Sequence, residues 1–308
     1  MGLLRKAVCA LFLLSCNGRA ELVEHSMDWQ GAKRIYEVHL PHGTRPESPA
    51  PVVLIFHGGG PLDADGERTG NYTSMSSKAD REGFIAVYPR AREDNWNDGR
   101  DSPNLQEQKD NVDDVGFIRA VLDQLERDYP VDRKRIYATG LSNGGIFSFR
   151  LACELSDRIT AIAPVIGAVA EPLAPRCAPT RPVPVLSLHG TRDGFVPIGG
   201  GTVTAPGTRQ DRGKVLSADD SRKLWARLNG CTDDTTRSTQ DKDPRDGTAL
   251  ERIEHVGCPE SAPVKQLLLH GAGHTWPGAR WYPYLGDVSY EVHAEDEIWS
   301  FFRNHALP

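Results

Sequence analysis

The chain has 308 residues, of which 39% are hydrophobic and 25% charged, and a formal net charge of −6. Such a length and balance suit one large soluble globular α/β domain. The acidic surplus repels phosphate backbones and argues against general nucleic-acid binding. Beyond the N-terminus there is no run of 18 apolar residues, so no transmembrane helix is expected.

Residues 1–20 read as an export signal, with Arg5 and Lys6 as the charged region and Ala7 to Leu14 as a short apolar region. Two processing outcomes compete. Gly18-Arg19-Ala20 offers a small-x-small cleavage site, whereas Leu13-Leu14-Ser15-Cys16 resembles a lipobox in which Cys16 would carry a lipid anchor. Residues 21–308 are then expected to form a single catalytic domain. Beyond Cys16 stand Cys153, Cys177, Cys231 and Cys258. An even number in an exported chain favours two disulfides, with three pairings possible. Proximity in sequence suggests Cys153–Cys177 and Cys231–Cys258. Neither CxxC spacing nor interleaved histidines appear, so no zinc site is expected.

Residues 33–40 predict an edge strand. Val52–Phe56 is a near-continuous apolar run, as a strand buried on both faces of a parallel sheet requires, and it ends in His57-Gly58-Gly59-Gly60. A helix at about 73–82 leads to a strand at Phe84–Tyr88, and a polar loop from Arg90 to Lys109 carries Trp96. A helix from Val112 to Tyr129 follows, with apolar spacing at Val115, Ile118, Leu122 and Leu125. Next come a strand at Arg135–Thr139, a turn, a helix to about Leu155 and a strand at Ile159–Ile166. Val183–Leu188 predicts a strand ending in His189–Asp193, and the Gly/Thr/Pro-rich Gly199–Gly213 a mobile surface loop. A helix at about Ala218–Leu228, strands at Leu250–Val256 and Val264–Leu269, and a closing helix at Asp296–His305 complete the chain. Strands alternating with helices predict a mostly parallel, doubly wound sheet.

The turn after Thr139 reads Gly140-Leu141-Ser142-Asn143-Gly144. A serine flanked by glycines at a strand-to-helix turn is the sequence form of the nucleophile elbow. Side chains at Gly140 or Gly144 would collide with the neighbouring strand and helix. A serine hydroxyl needs a base, and histidine suits that task near neutral pH. A carboxylate behind the histidine fixes its tautomer. Ser142, Asp193 and His274 follow the order Ser, Asp, His, and each lies after a predicted strand. Among ten histidines, His57 and His189 precede glycines and shape turns. His255 and His293 lie in regular segments, and His270 closes a strand. An oxyanion would be met by the amide of Asn143 and, from the His57–Gly60 loop, that of Gly59. The latter segment lacks the Gly-Lys-Ser/Thr ending of a nucleotide loop.

Gly-Leu-Ser-Asn-Gly-Gly at 140–145, His-Gly-Thr-Arg-Asp at 189–193 and Gly-His-Thr-Trp-Pro-Gly at 273–278 resemble the exported poly(3-hydroxybutyrate) depolymerase/feruloyl esterase group of α/β-hydrolases. Asp113–Ile118 and Trp225–Cys231 extend the likeness across most of 33–305. The resemblance implies an α/β-hydrolase fold, with Ser142 as nucleophile, Asp193 as acid, His274 as base and the Gly59 and Asn143 amides as oxyanion donors. Many depolymerases of the group have cysteine where this chain has Gly59, but the backbone amide acts, so the role survives. No cofactor is expected.

Trp276, two residues past the base, is expected to face substrate. Trp96, Trp281, Tyr282 and Tyr284 could form an aromatic wall. The expected substrates are feruloyl or acetyl esters on plant polysaccharide, since no separate binding domain of the kind many polyester depolymerases carry follows residue 308. Short or oligomeric hydroxyalkanoates are the main alternative. A serine peptidase or a non-catalytic surface binding protein are further ones.

Overall fold

The computed structural model describes residues 21–308 except 42–43, 45–47, 61–64, 206 and 208–209. The expected signal at 1–20, with Cys16 and both processing sites, lies outside the described residues. Ten strands form one sheet: β1 (Glu21–Trp29), β2 (Ala32–Leu40), β3 (Ala50–Phe56), β4 (Ile85–Pro89), β5 (Val131–Leu141), β6 (Ala161–Val165), β7 (Val185–Gly190), β10 (Thr235–Gln240), β11 (Ala249–His255) and β12 (Val264–His270). A separate two-stranded hairpin pairs β8 (Gly201–Thr202) with β9 (Lys214–Val215). The order in the sheet is β1-β2-β4-β3-β5-β6-β7-β12-β11-β10. From β4 to β12 all pairings are parallel, and an antiparallel pair of strands flanks that core on each side.

The expected edge strand is therefore one place inside the edge. In β1, Val23, His25, Met27 and Trp29 are half-buried while Glu24, Ser26 and Asp28 are exposed, the period of two of a strand with one covered face. At the other edge β10, Thr-Thr-Arg-Ser-Thr-Gln, is polar throughout, a composition that discourages pairing with a further chain.

Helices cover both faces. On one lie α4 (Asp114–Asp128), α5 (Asn143–Glu154) and α6 (Ala218–Asn229); on the other lie α1 (Gly66–Thr73), α2 (Met75–Glu82) and α7 (Ala294–Phe302). A one-turn α3 (Gln106–Lys109) sits in the long polar loop. The run in β3 explains the layering. Val52, Leu54 and Phe56 join the core under α4 and α5, while Val53 and Ile55 join the core under α2 and α7, all fully buried. The helix expected at about 73–82 is α2, and a further helix not expected from the sequence, α1, precedes it, the two separated at Ser74, whose φ of 56° is left-handed. The two ends of the expected surface loop 199–213 are pinned by the β8–β9 pair and by Val203 and Arg212 amide bonds to Gly213 and Val203 carbonyls. Disulfides join Cys153 to Cys177 and Cys231 to Cys258, closing separations of 24 and 27 residues. Each stabilises by about 3 kcal/mol through restriction of the unfolded chain.

The chain enters the parallel core at β3, steps one way to β4 and then crosses to β5 on the other side. The loops after β3 and β5 therefore diverge at a switch point, where open α/β sheets hold their ligands.

Candidate active site

Ser142 occupies the single residue between β5 and α5, with φ 55° and ψ −118°. A non-glycine residue pays about 1–3 kcal/mol for such a conformation, so the surroundings must impose it. They do so by close approach. A Cβ on Gly144 would come within 2.4 Å of the Phe56 carbonyl oxygen and 2.5 Å of that of His57; one on Gly140 would lie 2.6 Å from Phe56 O. The Ser142 amide donates to Val165 O at 3.0 Å, and Ser142 O accepts from the Ile146 amide at 2.9 Å. The chain is strained again just past the next strand: Ile166, which follows β6, has φ 46°.

Asp193 follows β7 and His274 follows β12, its parallel neighbour. The two loops are locked together. A Cβ on Gly190 would lie 2.2 Å from Gly273 O, and the Arg192 amide donates to Ala272 O at 2.8 Å. On the far side, the Gly273 and His274 amides donate to Asp287 O and Leu285 O at 2.9 and 2.7 Å. Asp193 Oδ1 accepts the amides of Phe195 and Val196 at 2.8 and 2.9 Å, and Oδ2 meets His274 Nδ1 at 2.7 Å. With the carboxylate ionised, Nδ1 donates and Nε2 keeps its lone pair for a proton. The Phe195 ring packs edge-on against the imidazole, with centroids 5.2 Å apart. Among the described residues, neither His274 Nε2 nor the partly exposed Ser142 hydroxyl has a hydrogen-bond partner.

The Gly59 and Asn143 amides also lack acceptors among the described residues. That of Asn143 lies in the first turn of α5, where no intrahelical acceptor exists. The two residues adjoin: a Cβ on Gly59 would be 3.6 Å from Asn143 Cβ. Sequence reasoning missed what holds this corner. Asn143 Oδ1 accepts the Trp96 amide at 2.6 Å, while Nδ2 donates to Trp96 O at 3.1 Å and to Asp98 Oδ2 at 2.6 Å. Asp98 is fully buried and also receives Arg100 Nε and Nη2 and Gln108 Nε2. A lone aspartate in a polar loop carries no sequence signal for such a role.

Two expectations are corrected. Trp96 and Trp276 are both fully buried and present no ring face to a substrate. Trp96 stacks on Phe147 at 4.9 Å, meets Phe56 edge-on and donates from Nε1 to His57 O. Trp276 lies in the core under α7, with Nε1 directed at Glu295. The exposed aromatics are others. Trp281 and Tyr284 are 51% and 55% exposed, and the Tyr282 ring lies 5.9 Å from Tyr72 and 6.0 Å from Tyr284. Tyr72 ties this strip to the loop of the base by accepting the Trp276 amide at 3.2 Å. Among the described residues, no cluster of three or more His, Cys, Asp or Glu side chains could hold a metal ion.

His57 accepts the Ala91 amide at Nε2 and donates from Nδ1 to Gly58 O, so it is held neutral at the base of the Gly59 loop. Burial lowers the pKa of His57 to about 4, and burial likewise lowers that of His189 to about 4. In the unfolded chain each would titrate near 6.5, so between these values the unfolded state binds more protons. The stability from neutral burial is complete above pH 6.5 and is lost as pH falls toward 4, at up to about 3 kcal/mol per histidine. Thermal melts from pH 7 to pH 4 should show a progressive fall in Tm; a flat profile would refute the assignment.

A strained elbow serine, a carboxylate-bound imidazole and two free amides at the carboxyl rim of a parallel sheet define an α/β-hydrolase. The profile of the Dienelactone hydrolase family matches residues 41–206, and the chain belongs to that family. It is a carboxylic ester hydrolase of the feruloyl-esterase-like group. It is 32% identical over 261 residues to "Putative esterase NocK" of Nocardia uniformis subsp. tsuyamanensis, covering 82% of this chain and 73% of that protein. To Feruloyl esterase B of Piromyces equi it is 28% identical over 247 residues, 77% of this chain and 42% of that longer protein. The solved acetyl xylan esterase from Aspergillus awamori superposes with a TM-score of 0.58 at 13% identity, covering 92% and 99% of the two chains, and this likeness speaks to the fold.

Proposed function

We propose that this protein is an exported serine esterase that cleaves feruloyl or acetyl esters carried by polysaccharide, through an acyl-enzyme. Ser142 Oγ attacks the ester carbonyl carbon as His274 Nε2 takes its proton. The oxyanion is met by the Gly59 and Asn143 amides. Collapse breaks the bond to the alcohol oxygen, which leaves with the proton from His274. Water, deprotonated by the same imidazole, then attacks the acyl-enzyme and releases the carboxylic acid.

The observation that carries this reading is the Asp193–His274 pair, held at 2.7 Å by loops of adjacent strands on the rim where the strained Ser142 stands. Acetylxylan and feruloyl esterases among the relatives support the substrate class. The strip of half-buried Tyr72 and Tyr282 with exposed Tyr284 offers ring faces to hydroxycinnamoyl groups or sugars. The two disulfides support export, with residues 1–20 as the signal and 21–308 as one catalytic domain.

A fluorophosphonate probe should label the wild-type protein covalently and leave Ser142→Ala unlabelled; equal labelling of both would reject Ser142 as nucleophile. Parallel assays on methyl ferulate, acetylated xylan and 3-hydroxybutyrate oligomers separate the substrate classes. Preferential turnover of the oligomers would reject the polysaccharide-ester assignment.

A further inference from the structure

Arg212 stands apart from every other buried or half-buried arginine among the described residues. Among the described residues, each other buried or half-buried arginine meets a carboxylate or a carbonyl: Arg34 pairs with Asp114, Arg100 with Asp98, Arg158 with Asp123 and Glu126, and Arg181 bonds Ile159 O. The Arg212 guanidinium is half-buried yet makes no hydrogen bond or ion pair with a described residue, and its Nε is buried without a partner among them. Leaving guanidinium donors unpaired in a partly dry site costs free energy, so a retained one calls for an anion.

Its position is what gives this meaning. A Cβ on Gly59 would lie 3.6 Å from Arg212 Nη1, so the guanidinium borders the loop that offers the first oxyanion amide. The backbone beneath it is fixed by the Val203 and Arg212 amides, which bond the Gly213 and Val203 carbonyls. Two more polar atoms there are buried without partners, Asn95 Oδ1 and Arg100 Nη1. The Asn95 oxygen would sit 2.4 Å from a Gly59 Cβ. Burial first, and then the neighbouring Arg100 charge, lower the proton affinity of Arg212, against the opposing pull of Glu107 and Asp94. Neither Glu107 nor Asp94 forms an ion pair with Arg212: both act on it only through their charge, and Glu107 Oε1 accepts the Asp94 and Asn95 amides. In a chain of net charge −6 the general field repels anions, so an unpaired cation at this spot acts locally.

We infer that Arg212 forms a carboxylate-recognising subsite beside the Gly59 loop and selects esters that carry a second, ionised acid group. A guanidinium suits this task because its planar donors match a carboxylate at two points. The carboxylate could sit on the acyl part, as in a half-ester of a dicarboxylic acid, or on the alcohol part, as in an acidic sugar. The inference rests on the active-site reading above.

Two pairs of esters test both sides. Mono-p-nitrophenyl adipate is compared with p-nitrophenyl hexanoate, and 4-carboxyphenyl acetate with 4-(methoxycarbonyl)phenyl acetate. The ratio of kcat/KM for charged over neutral ester should fall at least about tenfold in Arg212→Gln in one pair, chiefly through KM, as loss of a charge-assisted contact predicts. Arg212→Lys should keep part of the ratio, and salt should erode it in the wild type. The pair that responds names the side bearing the carboxylate. Ratios unchanged in both pairs, or equal losses on charged and neutral esters, would overturn the inference. A wild-type protein that hydrolyses no neutral ester and takes up no fluorophosphonate would remove the hydrolase reading, and this inference with it.

Discussion

Alanine at His274 is expected to lower kcat/KM for p-nitrophenyl acetate by about three to four orders of magnitude, the usual scale for removing a triad base. The loss should fall on kcat, because proton transfer from Ser142 is demanded only as the tetrahedral oxyanion forms. The fold should survive. Asp193 keeps the Phe195 and Val196 amides on Oδ1, so its carboxylate is not stranded when the imidazole leaves. The Gly273 loop stays anchored through main-chain bonds to Asp287 and Leu285 that do not involve the ring. Unaltered thermal melting with turnover near background is the expected pair of results. Near-normal turnover of His274→Ala would reject the proposed chemistry, whatever the mutant's stability.

The parts of this molecule legible in its sequence are those where local composition and tertiary role coincide. Val52–Phe56 is apolar at every position because both faces of β3 are covered, and no polar alternative would survive there. The elbow is legible because its glycines answer to main-chain atoms of Phe56 and His57, a demand no side chain can meet. Asp193 and His274 could be placed because parallel strands put their following loops on one rim. The edges were less visible. β10 has no apolar residue to mark it, and β1 shows its alternation only through the mixed set Val23, His25, Met27 and Trp29.

The tryptophans show a different limit. Trp96 lies in a polar loop, which from sequence reads as a surface position, yet Asn143 grips its main chain from 47 residues away and its ring stacks on Phe147. Loop residues can be buried when a distant side chain satisfies their backbone polar groups, and nothing near position 96 announces that partner. The same blindness hid Asp98 and Arg212, whose meaning depends wholly on which residues the fold sets beside them.

Asp98→Ala is expected to damage both stability and turnover, and the two effects can be separated. Asp98 and Arg100 are 0% and 2% exposed and joined at 2.8 Å, so removing the carboxylate leaves a buried guanidinium uncompensated. Breaking a buried pair in this way costs about 3–5 kcal/mol, which should lower Tm by roughly 10 °C. The same change takes the Asp98 acceptor from Asn143 Nδ2, loosening the residue whose amide is assigned to the oxyanion. A donor displaced from that position costs about a hundredfold or more in kcat. Replacing both members, as Asp98→Leu with Arg100→Met, removes the stranded charge and should recover most of the stability, since apolar pairs commonly substitute for buried ion pairs without loss. It cannot return the acceptor to Asn143. The double variant is therefore expected to melt near the wild-type temperature while kcat stays depressed and KM changes little. Recovery of kcat together with Tm would show that Asp98 serves the fold alone and that Asn143 needs no help in holding its amide.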